Sequence, residues 1–302
     1  MKGKQMKLFT RQAPRRISRL SIPVVVLAPL LVVALAITNA EAAATPVPLK
    51  TARRFAVLAG SGITNTGLTA ITGDIGTFPT TSITGTSTLV LTGTNHKGDA
   101  VTQQAKKDLV GAYVNAANQG PVTPIAGGIL GGRKLVSGVY NSASSMDLTG
   151  TLTLNGQGRE DSVFIFQVGS ALTTASASQV RLVNGAQGCN VFWQIGSSAT
   201  LGTGSTFAGS LMALTSITAN TGARVQGRLL ARNGAVTLDT NRITKPTCAT
   251  GAGSTPTPTA SASATPTPRA TATPSPTPTP TTGVTVPHPN ASPPEHRFGL
   301  TG

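Results

Sequence analysis

Residues 199–231 read ATLGTGSTFAGSLMALTSITANTGARVQGRLLA, and this stretch decides the fold. Within it, the segment from Gly204 to Gly209 aligns with that from Gly222 to Gly227 at an offset of 18 residues. Short apolar and polar alternation, punctuated by glycine every few residues, predicts strands and not helices. A repeat of this length, with strands too short for a sandwich, predicts one coil of a β-solenoid per repeat.

The same signal extends over residues 45–248. One short unit recurs as Ile71-Thr72-Gly73, Ile83-Thr84-Gly85, Leu91-Thr92-Gly93 and Leu148-Thr149-Gly150. A longer offset of 27 residues relates the segments 164–169 and 191–196, which predicts an inserted loop near Val183 to Gly188. We therefore expect a mainly β fold whose coils are irregular in length.

One segment, from Ala100 to Gln119, departs from this pattern. Its apolar residues recur at spacings of three and four, which predicts an amphipathic helix. They are Val101, Ala105, Leu109, Ala112, Tyr113 and Ala116. Asp99 is a suitable N-cap, and Gly120-Pro121 provides a stop. A helix with one apolar stripe is expected to lie against a flank of the solenoid.

The N-terminal segment predicts export. Residues 1–21 are basic with no acid, residues 22–37 are apolar, and Ala40-Glu41-Ala42 fits a cleavage site, so we interpret residues 1–42 as a signal peptide. A retained membrane anchor is the alternative, and Pro23 and Pro29 in the apolar run disfavour it. The protein is therefore expected to be secreted or associated with the cell surface.

The C-terminal segment has a different composition from the rest of the chain. Twelve of the 21 prolines follow residue 250, among threonine, serine and alanine. Such a segment has few apolar side chains to bury, so residues 251–302 are predicted to form a disordered Pro/Thr/Ser-rich stalk. The folded domain is then expected to span residues 43–250.

Charge and residue inventory exclude several function classes. The formal charge is +15, but removal of the signal peptide leaves 17 basic and eight acidic residues, a net charge of +9. The basic residues are scattered and aromatics are few, which disfavours nucleic-acid binding.

One histidine, His96, lies between signal and stalk, and we interpret it as a surface residue. The carboxylates are scattered as well, so the sequence predicts no metal site, no cofactor and no enzyme; a solenoid polysaccharide lyase is the strongest catalytic alternative.

Threonine recurs in register across the predicted coils. Thr200-Leu201-Gly202-Thr203 aligns with Thr218-Ala219-Asn220-Thr221 and with Thr237-Leu238-Asp239-Thr240, and Thr173-Thr174-Ala175-Ser176 is a weaker fourth match. Residues three apart in a strand face opposite sides, so both hydroxyls share an exterior only if the chain bends between them. The third position of each of the first three motifs favours bends, which predicts a repeated corner. Threonine also suits β-structure in general, so a purely structural role is the alternative.

Residues 55–67, 71–76, 163–167, 190–194, 215–218 and 227–232 carry a resemblance that spans Phe55 to Pro246. The resemblance is to the ice-binding-like family of bacterial and fungal secreted proteins. It implies an irregular right-handed β-helix of triangular cross-section with one long helix along its side, and ice as the ligand. The family's Thr-Ala/Gly-x-Thr/Asn motif is met in full by Thr218 to Thr221, whereas the motifs at Thr200 and Thr237 have leucine at the second position.

The expected ice-binding residues are those of the aligned motifs: Thr200, Thr203, Thr218, Thr221, Thr237, Thr240, Thr173 and Ser176. The strand with Thr149, Thr151 and Thr153 is the next candidate surface, and Arg224 or Arg242 would interrupt the binding face if either points toward it. The alternative function is a cell-surface adhesin or glycan-binding module presented on the stalk. We expect the protein to act as a monomer.

The two cysteines, Cys189 and Cys248, lie in a domain predicted to be exported. A disulfide forms and persists outside the cell, so we expect these two residues to be bridged. Two buried thiols are the alternative.

Overall fold

The computed structural model describes residues 44–249. The predicted signal peptide and stalk lie outside the described residues. The N-terminal part contains β1 (Phe55–Ala59), β2 (Gly62–Thr66), β3 (Thr69–Thr72), β4 (Asp74–Thr77), β5 (Ile83–Thr84), β6 (Leu89–Thr92) and the helix α1 (Ala100–Ala117). The remaining strands are β7 (Val122–Pro124), β8 (Lys134–Leu135), β9 (Gly138–Ser142), β10 (Met146–Leu148), β11 (Thr151–Asn155), β12 (Phe164–Val168), β13 (Leu172–Thr174), β14 (Gln179–Val183), β15 (Val191–Ile195), β16 (Ala199–Leu201), β17 (Thr206–Ala213), β18 (Ile217–Ala219), β19 (Arg224–Ala231), β20 (Ala235–Asp239) and β21 (Arg242–Thr244).

The strands pair in parallel, as expected for a solenoid, and form the three faces that the family resemblance implies. The threonine face follows the order β10-β13-β16-β18-β20-β2-β5. The helix face contains β4, β1, the second halves of β19 and β17, β15, β12, β9 and β7. The arginine face contains β6, β3, β21, the first halves of β19 and β17, β14, β11 and β8.

The order of the coils in space differs from their order in the chain. The first strands of the domain stack on the last ones, since β2 pairs with β20 and β3 pairs with β21. The chain then leaves this end of the stack through α1, whose 18 residues span about 27 Å. The remaining coils wind back from the other end until β20 and β21 meet the first strands.

The interior of the solenoid contains an aromatic ladder. Phe166 stacks on Trp193 with ring centroids 3.9 Å apart, and Tyr140 and Phe207 extend the stack on either side. The buried indole of Trp193 donates to the carbonyl oxygen of Ala208 at 3.0 Å, so its polar atom is satisfied. Aliphatic side chains that alternate inward along each strand fill the rest of this core.

The outer side of the helix face is covered by α1, as expected for an amphipathic helix. Asp99 caps the helix by accepting a hydrogen bond from the Thr102 N–H at 2.8 Å, and Ala105, Leu109 and Ala112 are buried. The Tyr113 hydroxyl donates to the carbonyl oxygen of Ile195 at 3.0 Å. Strands β1 and β15 of this face are buried along their whole length, which explains the continuous apolar run of β1.

The interpretation of His96 as a surface residue is wrong. Its side chain is 7% exposed, and its ring lies 5.1 Å from that of Phe55. Its Nδ1 lies 2.8 Å from the Asp99 carboxylate, and its Nε2 lies 3.3 Å from that of Asp74. The imidazole thus joins the N-cap of α1 to β4, a contact between distant segments that local polarity does not predict.

Cys189 and Cys248 form a disulfide, with their Cα atoms 5.5 Å apart. The bridge connects the last described residues to the turn before β15, and it spans a sequence separation of 59. In the chain-entropy treatment, a loop of this length corresponds to about 4 kcal/mol of stabilisation.

Candidate functional site

The centre of the threonine face is a column of outward-facing threonines, one per strand. The residues pair in the order Thr173, Thr200, Thr218, Thr237, Thr64 and Thr84, and we name this set the threonine column. All six side chains are exposed or half-exposed. Because neighbouring parallel strands lie about 4.8 Å apart, the column presents a methyl and a hydroxyl at nearly regular intervals.

The structure places four of the predicted threonines in this column and adds two. The sequence alignment does not include Thr64 and Thr84. It joins motifs of consecutive coils, and these two residues precede α1 in the chain, whereas the other four follow it. A signal was present, since an Ile-Thr pair occurs at residues 63–64 and 83–84 as it does at 217–218. Only the stacking of β2 on β20 shows that these pairs share the face.

The second residue of each Thr-x-x-Thr motif points into the core. Leu201, Ala219 and Leu238 are fully buried. The leucines that depart from the family motif therefore lie inside the solenoid and leave the surface unchanged. Their strands contribute outward threonines in the same way as the strand of Thr218.

A second line of residues, which we name the corner row, follows the edge of the threonine face. Its members are Ser176, Thr203, Thr221, Asp239 and Thr66. The predicted bend is present, because β16 and β18 end at Leu201 and Ala219, just before the turn. Gly204 and Gly222, with φ of 63° and 73°, then direct the chain to the arginine face.

Thr240 occupies a different position from the one that the sequence alignment gives it. Ala219 pairs with Leu238 and Arg224 pairs with Arg242, so four residues separate the two pairs in one coil and three in the next. Asp239 therefore lies beside Thr221. Thr240 takes the place of Gly222 and adopts its left-handed conformation, with φ of 53°.

Asp239 organises the corner of the last coil. The Thr221 hydroxyl donates to its Oδ2, and the Thr240 hydroxyl donates to its Oδ1 at 3.0 Å. The hydrogen bond from Thr221 contributes most to lowering the pKa of the Asp239 carboxyl, followed by that from Thr240. The carboxylate therefore stays ionised well below neutral pH and holds two threonine side chains in fixed orientations.

The opposite edge of the threonine face is flat because its outward residues are small. They are Ala171, Ser198, Ser216, Ala235 and Gly62. The hydroxyl of Ser198 accepts the Ser216 N–H and that of Ser216 accepts the Ala235 N–H, each at 3.3 Å. The serines are thus tied to neighbouring coils.

The threonine column stops at one end at Asp147, which pairs with Thr173, and Ile129 lies beyond it.

The arginine face shows no comparable regularity. One of its columns follows the order Thr151, Gln179, Thr206, Arg224, Arg242, Ala70 and Val90. Thr153, in the strand that was the next candidate surface, lies between Lys134 and Arg181. Arg224 and Arg242 both lie on this face and leave the threonine face uninterrupted.

Within residues 44–249, no group of three or more histidine, cysteine or acidic side chains is arranged to hold a metal ion. Within the same residues, no helix combines the length and apolar character that a membrane span requires.

Comparisons with known proteins agree on one family. The model of the family described as ice-binding-like matches residues 57–244. An ice-binding protein from Nostoc sp. is 48% identical over 208 residues, covering 68% of this chain and 77% of that protein. An ice-binding protein from Flavobacterium frigoris is 36% identical over 219 residues, covering 66% and 76%.

Solved structures show the same fold. The crystal structure of an ice binding protein from an Antarctic biological consortium has a TM-score of 0.65 and 44% identity, covering 68% of this chain and 93% of that one. The ice-binding protein of the Antarctic ascomycete Antarctomyces psychrotrophicus has a TM-score of 0.64 and 42% identity, covering 67% and 100%.

Proposed function

The chain belongs to the ice-binding-like family, and we propose that it is a secreted protein that adsorbs to ice crystals through its threonine face. The observation that carries the choice of face is the threonine column, six threonines in register across six strands. The other two faces are less suited, since α1 covers one and arginine and lysine side chains interrupt the other.

The physical argument starts from the rigidity of the surface. A β-branched threonine in a strand has few χ1 states, so little entropy is lost when its hydroxyl and methyl contact an ordered lattice. The strands hold the side chains at a fixed repeat, and the small residues beside the column let a flat crystal approach. Such a surface can hold water in an ice-like arrangement, and many weak contacts formed together make adsorption effectively permanent.

The corner row extends the surface by a second rank. Thr203 and Thr221 are exposed beside Thr200 and Thr218, so two coils each contribute two threonines. Ser176 and Thr66 extend this rank in both directions. Asp239 is the charged member of the row, and its hydrogen bonds to Thr221 and Thr240 direct the carboxylate oxygens toward neighbouring hydroxyls. We therefore assign the adsorption to the column and give the corner row a supporting part.

The proposal involves no catalytic step and no cofactor. His96, the histidine among the described residues, is enclosed between two carboxylates and the Phe55 ring, so it does not face an open cleft. We expect a monomer, because α1 covers one face of the described domain, and exposed apolar side chains of the other two, such as Val90 and Ile129, lie at opposite ends of the stack. Binding of a cell wall or glycan through the stalk stays a prediction, since the stalk lies outside the described residues.

The test is direct observation of ice in the presence of the secreted chain. We expect micromolar protein to shape growing crystals into facets and to inhibit recrystallisation. The same protein in an unfolded state should do neither. Rounded crystals and normal recrystallisation with the folded protein would reject the proposal. Binding to a glycan array without any effect on ice would favour the adhesin alternative.

A further inference from the structure

Arg228 is a buried cation for which the described residues supply no carboxylate. The residue is 2% exposed. Its Nε donates to the carbonyl oxygen of Arg53 and its Nη1 donates to the Ser210 hydroxyl, each at 3.1 Å. Within residues 44–249, no carboxylate oxygen lies within 4.0 Å of its guanidinium. Burial lowers the pKa of Arg228 to about 10, and the nearby Arg53 adds to the effect. A buried charge without a counter-charge is costly, which indicates that an anion belongs beside it.

The surroundings of Arg228 are strongly basic. Two neighbouring cavities of about 470 and 420 Å³ share Lys50, Arg53, Arg228 and Cys248 in their walls. Lys245 and Arg54 line the second cavity. Of these cations, Arg54 lies 3.5 Å from the Asp74 carboxylate.

A second acid, Asp108, also lies near this cluster. Lys50 contributes to the lowered pKa of Asp108, but Thr51, whose N–H lies 3.1 Å from its Oδ2, contributes more. The local charge therefore remains positive around Arg53, Arg228 and Lys245.

We propose that the basic corner, defined as Lys50, Arg53, Arg228 and Lys245, binds an oxyanion: a sulfate, phosphate or carboxylate group. A guanidinium presents several N–H donors in a planar fork that matches such groups, and lysine adds a mobile point charge. The oxyanion comes either from a free inorganic ion or from an acidic carbohydrate, and both present the same chemistry to the site.

The position of the basic corner separates it from the threonine face. Arg228 follows Gly227 at the point where β19 passes from the arginine face to the helix face. A ligand held there leaves the threonine column uncovered. The inference therefore goes beyond the proposed function and does not depend on it, because anion binding and ice adsorption would use different sides of the same solenoid.

The test compares two double variants that remove the same charge. In Arg53→Gln/Lys245→Gln the basic corner loses two accessible cations and the buried Arg228 is kept, so the fold is preserved. In the control, Arg181→Gln/Arg242→Gln, two exposed arginines are removed from the arginine face. Calorimetric titration with low millimolar sodium sulfate, at ionic strength held constant with sodium chloride, should give a saturable one-site isotherm for the wild type and the control. We expect the first variant to bind at least about tenfold more weakly, as loss of a charge-assisted hydrogen bond predicts.

A second arm uses polygalacturonate and dextran sulfate and distinguishes the two sources. Saturable binding of free sulfate identifies a small anion as sufficient. Binding of a polymer without binding of free sulfate identifies an acidic carbohydrate as the ligand. This binding should be weakened in the basic-corner variant and kept in the control. Equal binding by both variants, or no saturable binding of either kind, would overturn the proposal. Ice shaping should be the same in both variants, so this result is independent of the proposed function.

Discussion

Thr64 lies directly beside Thr237 in the parallel register of β2 and β20, although the two residues come from opposite ends of the described domain. This pairing joins a short threonine series from the start of the domain to a longer one from its end. The threonine column is therefore the product of the closure of the solenoid and not of the sequence repeat alone.

The first prediction concerns this junction. Thr64→Tyr should remove most of the ice activity, because it places a large ring inside the column, one strand from Thr237. Thr84→Tyr should reduce activity less, because β5 is the edge strand of the threonine face. Thermal hysteresis and recrystallisation assays of the two variants check the order. Full activity in Thr64→Tyr would limit the binding surface to the coils that follow α1.

The second prediction concerns the centre of the column. Thr218→Tyr should abolish most of the ice activity while the free energy of unfolding changes by only about ±0.5 kcal/mol, because an outward side chain contributes little to the core. Thr206→Tyr is the matched control, since Thr206 is an exposed threonine on the arginine face. Ice assays and denaturant unfolding of both variants provide the measurement. Equal activity losses in the two variants would remove the assignment to the threonine face.

The third prediction concerns the Asp239 carboxyl. Its pKa in the folded protein is lowered by the Thr221 and Thr240 hydroxyls, whereas an unfolded aspartate titrates near 3.9. The stabilisation from these hydrogen bonds is therefore complete above that value and disappears as the pH falls through the lower folded pKa. Carboxyl carbon NMR should show a titration midpoint below that of an unfolded aspartate.

Two variants test the origin of that shift. Thr221→Val should raise the pKa of Asp239 toward its ordinary value, because it removes the principal donor. Thr203→Val is the control, because Thr203 lies one coil further from Asp239 in the corner row. A midpoint at the ordinary value in the wild type, or one insensitive to Thr221→Val, would contradict the arrangement of the corner.

The fourth prediction concerns the disulfide. Replacement of both Cys189 and Cys248 by alanine should lower the free energy of unfolding by up to about 4 kcal/mol, because the unfolded chain regains the freedom of a long loop. Guanidinium denaturation measures the change. Ice shaping near freezing should persist, because the bridge lies beside the basic corner and not on the threonine face. Two free thiols titrated in the unfolded, unreduced wild type would show that the bridge does not form.

Much of the fold follows from local patterns in the sequence. The helix begins at Ala100 as its apolar spacing and the Asp99 cap predict, and it ends at Ala117, slightly before the predicted stop. The 18-residue and 27-residue offsets are the strand registers of β17 with β19 and of β12 with β15. These features could be predicted because successive residues of each strand alternate between inward and outward side chains.

The candidate site was predictable only in part, for two identifiable reasons. Thr173, Thr200, Thr218 and Thr237 align because consecutive coils repeat the same motif. The alignment of Thr240 with Thr221 is wrong because the last corner is one residue shorter. A motif alignment keeps the residue offset of the strand beyond the turn, although the shorter turn changes that offset. The interpretation of His96 was wrong because Asp74 and Phe55 are brought to it by long-range strand pairing: the segment before α1 pairs with β4, which in turn pairs with β1.

The sequence by itself determined a solenoid of short strands, its helix and the threonines of the consecutive coils, because these depend on periodicity along neighbouring residues. The tertiary structure alone decided which coils are neighbours at the closure, and hence that Thr64 and Thr84 complete the column. The physical reason is that parallel strands join through backbone hydrogen bonds, which every residue except proline can both donate and accept. Side-chain pattern therefore fixes which way each strand faces, whereas the stacking order of distant coils is set by long-range packing around α1 and the shared core.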